Sequence, residues 1–376
     1  MSNGNNNKIS SRQLAVMYII SVLSPATRLF PSVCARYGKT AGWVGVVVAA
    51  LGTLALGAAF SAWFKKSAAY PTDLGGIIET AFGRIAGRVL LAVYFLWLLV
   101  LYLTYISYYA ARLLSTIFTT ADIRFFVVTM MFVCLIAAHG RLESLGRFAE
   151  FAVIIFVVAF IAFYLFLIPT FKLRNVWPVT YLDAVPILRA SYPVVSILGY
   201  FSIFLFLGGQ IADRAVFPKS AKRGILLLGV LTVLMTASCI GTLGYAVARR
   251  MPLPFFSATK LINILQSFDR LEALLLSIWV ISDFVMLASL VFILANLLRK
   301  LFNVREERYF ATPIVFFGIV GGIFFAMSRS ELEAFSFSRF TMTFNVATGI
   351  ILPCAAMLVG HLRLRKREHL APTPPP

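Results

Sequence analysis

The chain has 376 residues, 60% of them hydrophobic and 13% charged, with a formal net charge of +19. A soluble domain carries about 25% charged residues, so a water-facing globule would lack polar cover here, and a bilayer is the expected solvent. The basic surplus does not mark a nucleic-acid binder, because the 34 Lys and Arg fall in short clusters between apolar runs (Lys65-Lys66, Lys222-Arg223, Arg299-Lys300, Arg363–Arg367), as in loops beside a membrane face.

Residues 1–11 read as a polar tail. The apolar run after them contains Pro25 and has no small-x-small cleavage site, which makes it a retained span. Ten apolar segments follow in order: 12–36, 41–64, 86–117, 123–139, 145–170, 188–212, 223–248, 270–301, 311–328 and 339–362. They are about as long as a helix needs to cross a bilayer and do not alternate with period two, so helices are expected and not barrel strands. Segments 3 and 8 exceed that length and should tilt or protrude. Residues 363–376 form a second tail, basic at first and Pro-rich from Ala371 onward. With ten spans, 20 of the 34 Lys and Arg lie on the side of the N-terminus, which places both tails in the cytoplasm.

The layout repeats although the residues do not. Segments 6 to 10 start about 176 to 194 residues after segments 1 to 5, so residues 12–170 and 188–362 run nearly in step. Both halves have their longest polar interruption between the second and third segments. One is Lys65–Gly87, with Thr72 as a helix cap and Leu74, Ile77, Ile78 and Phe82 on one side. The other is Arg249–Phe268, with Leu261, Ile262, Ile264 and Leu265. Each reads as a short interfacial helix. Five spans per half invert the second half, the plan of many secondary transporters, which hold ligand at the midplane where corresponding helices are broken. The expected fold is all-α integral membrane: ten transmembrane helices in a 5+5 inverted repeat, with helices 1 and 6 discontinuous. The breaks fall at Ser24-Pro25-Ala26-Thr27, where Pro25 leaves the Ser21 carbonyl free, and at Leu198-Gly199-Tyr200. Pro and Gly also kink membrane helices without making a site; the pairing across the halves favours ligand binding. A continuous helix at either place would leave the count of ten spans standing but remove the function built on the paired breaks.

The ten spans, the opening Ile9-Ser-Ser-Arg-Gln-Leu14, Phe30-Pro31 closing the first span, and the stretches Leu188–Phe206 and Leu271–Leu298 resemble the B subunits of spore germinant receptors. The resemblance implies the leucine-transporter fold of the amino acid–polyamine–organocation superfamily and a place in the inner membrane of a bacterial endospore. It also implies recognition of a small nutrient such as an amino acid, alongside a larger A subunit and a lipoprotein C subunit. Relatives usually have small residues or Gly at the first break, and Pro25 offers no amide to a ligand carboxylate.

Asp283 lies near the middle of segment 8, where a charge costs about 2.5–3.5 kcal/mol and should face a cavity or a partner. The resemblance places segment 8 at the ligand pocket, where Asp283 binds an ammonium or takes up a proton; a hydrogen-bonded helix contact is the plainer alternative. Arg28 is a charge partner for Asp283, a fork for a carboxylate, or a group reaching out to the vestibule. Glu150 is expected to pair with Arg141 or Arg147. Trp97 and Leu101 are candidates for a pocket wall, whereas Tyr102, Tyr105, Tyr108 and Tyr109 read as interfacial. Cys34, Cys134, Cys239 and Cys354 have no metal-ligand spacing, His139, His361 and His369 are scattered, and no metal or cofactor is expected. The chain also lacks a nucleophile–base pairing and a phosphate loop, so an enzyme is not expected. A germinant-receptor subunit and a proton-coupled amino-acid or amine transporter remain as readings of one architecture. A ligand-opened channel is a variant of either.

Overall fold

The computed structural model describes residues 8–66, 70–116, 121–261, 271–324 and 329–370, and every regular element among them is helical. In chain order these are α1 (Ser11–Gly38), α2 (Gly42–Phe64), α3 (Leu74–Phe82), α4 (Arg84–Thr116), α5 (Ile123–His139), α6 (Leu142–Leu167), α7 (Ala184–Leu198) and α8 (Tyr200–Phe204). They continue as α9 (Phe217–Leu243), α10 (Tyr245–Ala248), α11 (Pro254–Thr259), α12 (Leu271–Phe302), α13 (Ala311–Phe324), α14 (Arg329–Ser336), α15 (Arg339–Val346) and α16 (Leu352–Leu370). Eight stretches among the described residues are long and apolar enough to cross a bilayer. The first of them, Ser11–Phe64, is 54 residues long and turns at Lys39–Ala41 between α1 and α2; α5 is apolar but shorter.

Local chemistry explains where the helices begin and break. Ser10 and Gln13 form a capping box at α1: the Ser10 hydroxyl accepts from the Gln13 amide at 3.1 Å, and the Ser10 amide donates to Gln13 Oε1 at 2.9 Å. The cap of α3 is Asp73 and not Thr72, because Asp73 is the extended residue just before the first turn; its carboxylate accepts from the Gly76 amide at 2.7 Å. α3 is not a helix lying alone on an interface: Leu74, Ile77 and Ile78 are buried, and the helix packs against α16 and α4. In the second half the corresponding helix is only the six residues of α11. Leu261 follows it, half exposed, and Ile262, Ile264 and Leu265 lie outside the described residues. Gly83 (φ 83°) separates α3 from α4 and Gly244 (φ 76°) separates α9 from α10, a conformation in which a Cβ is strained.

The two expected breaks part company. α1 runs without interruption through Pro25 and Pro31, so the expected discontinuity of helix 1 does not occur. The sixth segment is interrupted: α7 stops at Leu198, a turn at Gly199 leads into the five residues of α8, and the chain tightens into a 3-10 helix over Leu205–Gln210. Gly199 lies against the last segment, where residues Ala347–Ile351 widen into a π-helical turn. The residues read as an N-terminal tail are partly docked, since the Ile9 amide donates to the Gln210 carbonyl and the Ala212 amide to the Ile9 carbonyl, both at 2.9 Å. The basic stretch Arg363–Lys366 continues α16 as helix.

α1 is buried along nearly its whole length and packs against α6, α7, α9 and α12. Lipid offers no hydrophobic drive between helices, so close approach must come from small residues. Gly318 and Gly322 of α13, four apart, supply it against Tyr102 and Ile106 of α4. The outward faces of α5 and α6 leave Phe132, Ile136, Phe151 and Val158 exposed, which fits hydrocarbon and not water.

Candidate functional site

Pro25 cannot donate to the helix ladder, yet α1 stays helical, and a side chain of a neighbouring helix bonds to the rung beside it. The hydroxyl of Ser282 on α12 accepts from the Ser24 amide at 3.0 Å and donates to the Ile20 carbonyl at 2.5 Å. It thereby bridges the two groups that a regular helix joins directly. Replacing Ser282 with Ala should cost about 1–2 kcal/mol, the worth of hydrogen bonds lost in a buried place. Unfolding of the purified protein in detergent measures this, and a neutral substitution would show that the rung closes unaided.

The next residue of α12 is Asp283, and it faces α1 as expected. Ser24 Oγ donates to its Oδ1. Its ion-pair partner is Arg112 of α4, whose Nη2 lies 3.1 Å from Oδ2 and 3.0 Å from Ser24 Oγ. Both charged side chains are 6% exposed. The Arg112 guanidinium also lies over the Trp279 ring, 4.8 Å from its centroid, while its Nε and Nη1 have no hydrogen-bond partner among the described residues. Arg28 is therefore not the partner of Asp283. It is turned to Tyr108, with its guanidinium 3.1 Å from the ring centroid, and is 7% exposed. Glu150 likewise has a different partner from the one its sequence neighbours suggested: Arg12 Nε is 3.2 Å away, and Arg147 pairs with Glu143.

A cavity opens beside Arg28, lined from α1, α4, α7, α8 and α15 and covered by Phe335, Ser336 and Phe337 at the end of α14. It measures about 30 Å³, room for about two waters, so a nutrient-sized ligand fits only if its walls move. A polar chain ties its walls together. Trp97 Nε1 donates to Asn345 Oδ1 at 2.9 Å, and Asn345 Nδ2 donates to the Tyr200 hydroxyl at 3.3 Å. Tyr105 donates to the same hydroxyl at 3.1 Å. Tyr108 is held by the Leu332 carbonyl and by Ser336 Oγ. A wider recess of about 840 Å³ lies at the end of the bundle that carries both termini, among Asp73, Glu79, Arg84, Arg88, Lys300 and Arg363. Its walls mix acids and bases at the ends of α3, α4, α12 and α16, and the basic residues are of the kind found at helix ends beside a membrane face.

Of the residues singled out from sequence, Leu101, Tyr200 and Arg28 line the cavity. Trp97 is one hydrogen bond behind it, through Asn345. Leu198 offers its carbonyl to the Tyr18 hydroxyl at 2.8 Å, and Gly199 packs on Gly349. Ser24 belongs to the Asp283 cluster, whereas Pro25, Ala26 and Thr27 are buried in continuous helix and present no free amides. Tyr105 and Tyr108, read as interfacial, are cavity walls. Arg112 and Asn345 were missed. An arginine inside an apolar run, Tyr108-Tyr-Ala-Ala-Arg-Leu-Leu114, is the signal that marks the first; nothing local marks the second.

The model of the "Spore germination protein" family matches residues 8–332 of this chain. The chain is 24% identical over 278 residues to YfkT of Bacillus subtilis (strain 168), provisionally named a spore germination protein, covering 73% of this chain and 75% of that one. The family is one of membrane receptors or permeases and not of enzymes. A chain whose described residues are helical, with several helices long and apolar enough to cross a membrane and a match over most of its length, is thus a member of the spore germination protein family.

Proposed function

We propose that this protein is the membrane subunit of a spore nutrient-germinant receptor, binding a small nutrient such as an amino acid in the cavity beside Arg28 and triggering germination. The observation that carries the reading is that cavity, walled by Tyr105, Tyr108, Tyr200 and Asn345 and bordered by the end of α14. Because α1 is continuous, recognition falls to side chains, and backbone groups freed at a first break have no part in it. Movement of these walls on binding supplies the signal. Taking α1 and α2 as two passes and adding α5 to the remaining stretches gives ten spans, in two halves of opposite orientation as the spacing of the segments suggests. Both termini then lie in the cytoplasm and the bundle lies in the spore inner membrane. A larger A subunit and a lipoprotein C subunit complete the receptor.

The reading predicts that spores lacking the chain lose their germination response to at least one nutrient, while the purified protein in liposomes does not concentrate that nutrient. Gradient-driven accumulation by the isolated protein would overturn the sensor and favour a proton-coupled amino-acid or amine transporter. The Asp283–Arg112 pair is the observation that favours this second reading, because a buried carboxylate between helices is a common element of proton relays.

A further inference from the structure

The cavity beside Arg28 has a sign. Among the residues that line it, Arg28 is the one charged side chain; no Asp or Glu faces in. Asp283, the carboxylate an ammonium would seek, is already engaged by Arg112 and Ser24. Arg28 is engaged only in part. Tyr108 supports the flat face of its guanidinium, and Tyr108 is itself fixed by α14, yet Arg28 Nη1 is buried with no hydrogen-bond partner among the described residues. A buried guanidinium held by its face presents its edge as a fork, the geometry that matches a carboxylate. Leaving that donor unpaired is costly, which is a reason for something to fill the place.

Two further features agree. Arg28 also lines two neighbouring cavities of about 20 and 40 Å³, and the second is lined by Arg36, Arg249 and Arg250 with Glu333. Three cations and one acid in the cavity next to it draw anions toward Arg28. Inside, the Tyr200 hydroxyl accepts from both Tyr105 and Asn345, so its own proton is left to donate into the cavity. The cavity therefore offers a cation and a hydroxyl donor but no counter-charge for a cation.

We propose that the ligand of this site is a small carboxylate anchored by Arg28, with its carboxylate required and any amino group dispensable. This rests on the nutrient-binding reading above. The test uses the full chain in nanodiscs and follows its thermal unfolding with amino acids, their α-amides, the corresponding acids without the amino group, and neutral sugars and nucleosides. The expected result is that at least one amino acid raises the unfolding temperature, that its des-amino acid binds within a few-fold, and that its α-amide binds at least tenfold more weakly. Arg28→Gln should remove the ligand-induced shift, and Arg28→Lys, which keeps the charge but not the fork, should restore part of it. Should Arg28→Gln fail to fold, the comparison of acid, amide and des-amino acid on the unaltered protein decides alone. Equal binding of acid and amide, loss of binding with the amino group, or a shift from a neutral sugar or nucleoside would overturn the carboxylate anchor and leave the nutrient-binding reading standing. No shift from any compound would overturn both.

Discussion

Asp283→Asn and Arg112→Met should each destabilise the protein by about 3–5 kcal/mol, and the double substitution should recover most of that loss. The two side chains are 6% exposed and meet at 3.1 Å across α4 and α12. Removing one leaves the other charged, buried and without compensation, whereas removing both exchanges an ion pair for neutral groups. Arg112 also has two nitrogens without hydrogen bonds, so little else nearby can take up its charge. Unfolding of the four proteins by sodium dodecyl sulfate completes a double-mutant cycle. Losses that simply add would show that the pair contributes no coupling and that each residue acts through packing alone.

Gly208→Ala should cost about 1–3 kcal/mol, although it adds a single methyl group. Gly208 lies in the 3-10 turn that ends the sixth segment, and a Cβ there would meet the Thr72 carbonyl oxygen well inside contact distance, with Asp73 Cα at 3.3 Å. Those are backbone atoms with no rotamer to change, so the turn or the start of α3 must move. The start of α3 is anchored at this point by Asp73, which caps the helix and pairs with Lys300 at 2.5 Å. The matched control is Gly52→Ala in α2, where a Cβ meets nothing within 4 Å; helix propensity then makes the change neutral or slightly stabilising. Thermal unfolding in detergent separates the two. Equal behaviour would mean that the Gly208 crossing yields without strain.

The helices were legible because what makes them is local. Each apolar run must satisfy its own backbone in lipid, so hydropathy reads directly as helix, and the expected limits 123–139 are those of α5. The notice of a break at Gly199 had the same local origin. Asp283 was identified as a residue needing a partner because the cost of a charge at mid-bilayer does not depend on which partner is found.

What the sequence determined by itself, then, was the solvent, the class of fold, the succession of apolar helices and the presence of an unusual acid in α12. Which groups meet was decided by the tertiary structure. Pro25 read as a break, but α1 is continuous there, and Ser282, more than 250 residues away, supports the neighbouring rung with its hydroxyl. Arg28 was the cation beside the expected break, but Arg112 is the one that α4 carries to Asp283. Tyr105 and Tyr108 looked like residues of a membrane edge until Tyr200 of α8 and Ser336 of α14 met them around a cavity. The physical reason is the same in each case. Hydrophobicity and helix formation are properties of a segment and its solvent, whereas hydrogen bonds, ion pairs and cavities act over a few ångströms and exist only once distant helices have packed.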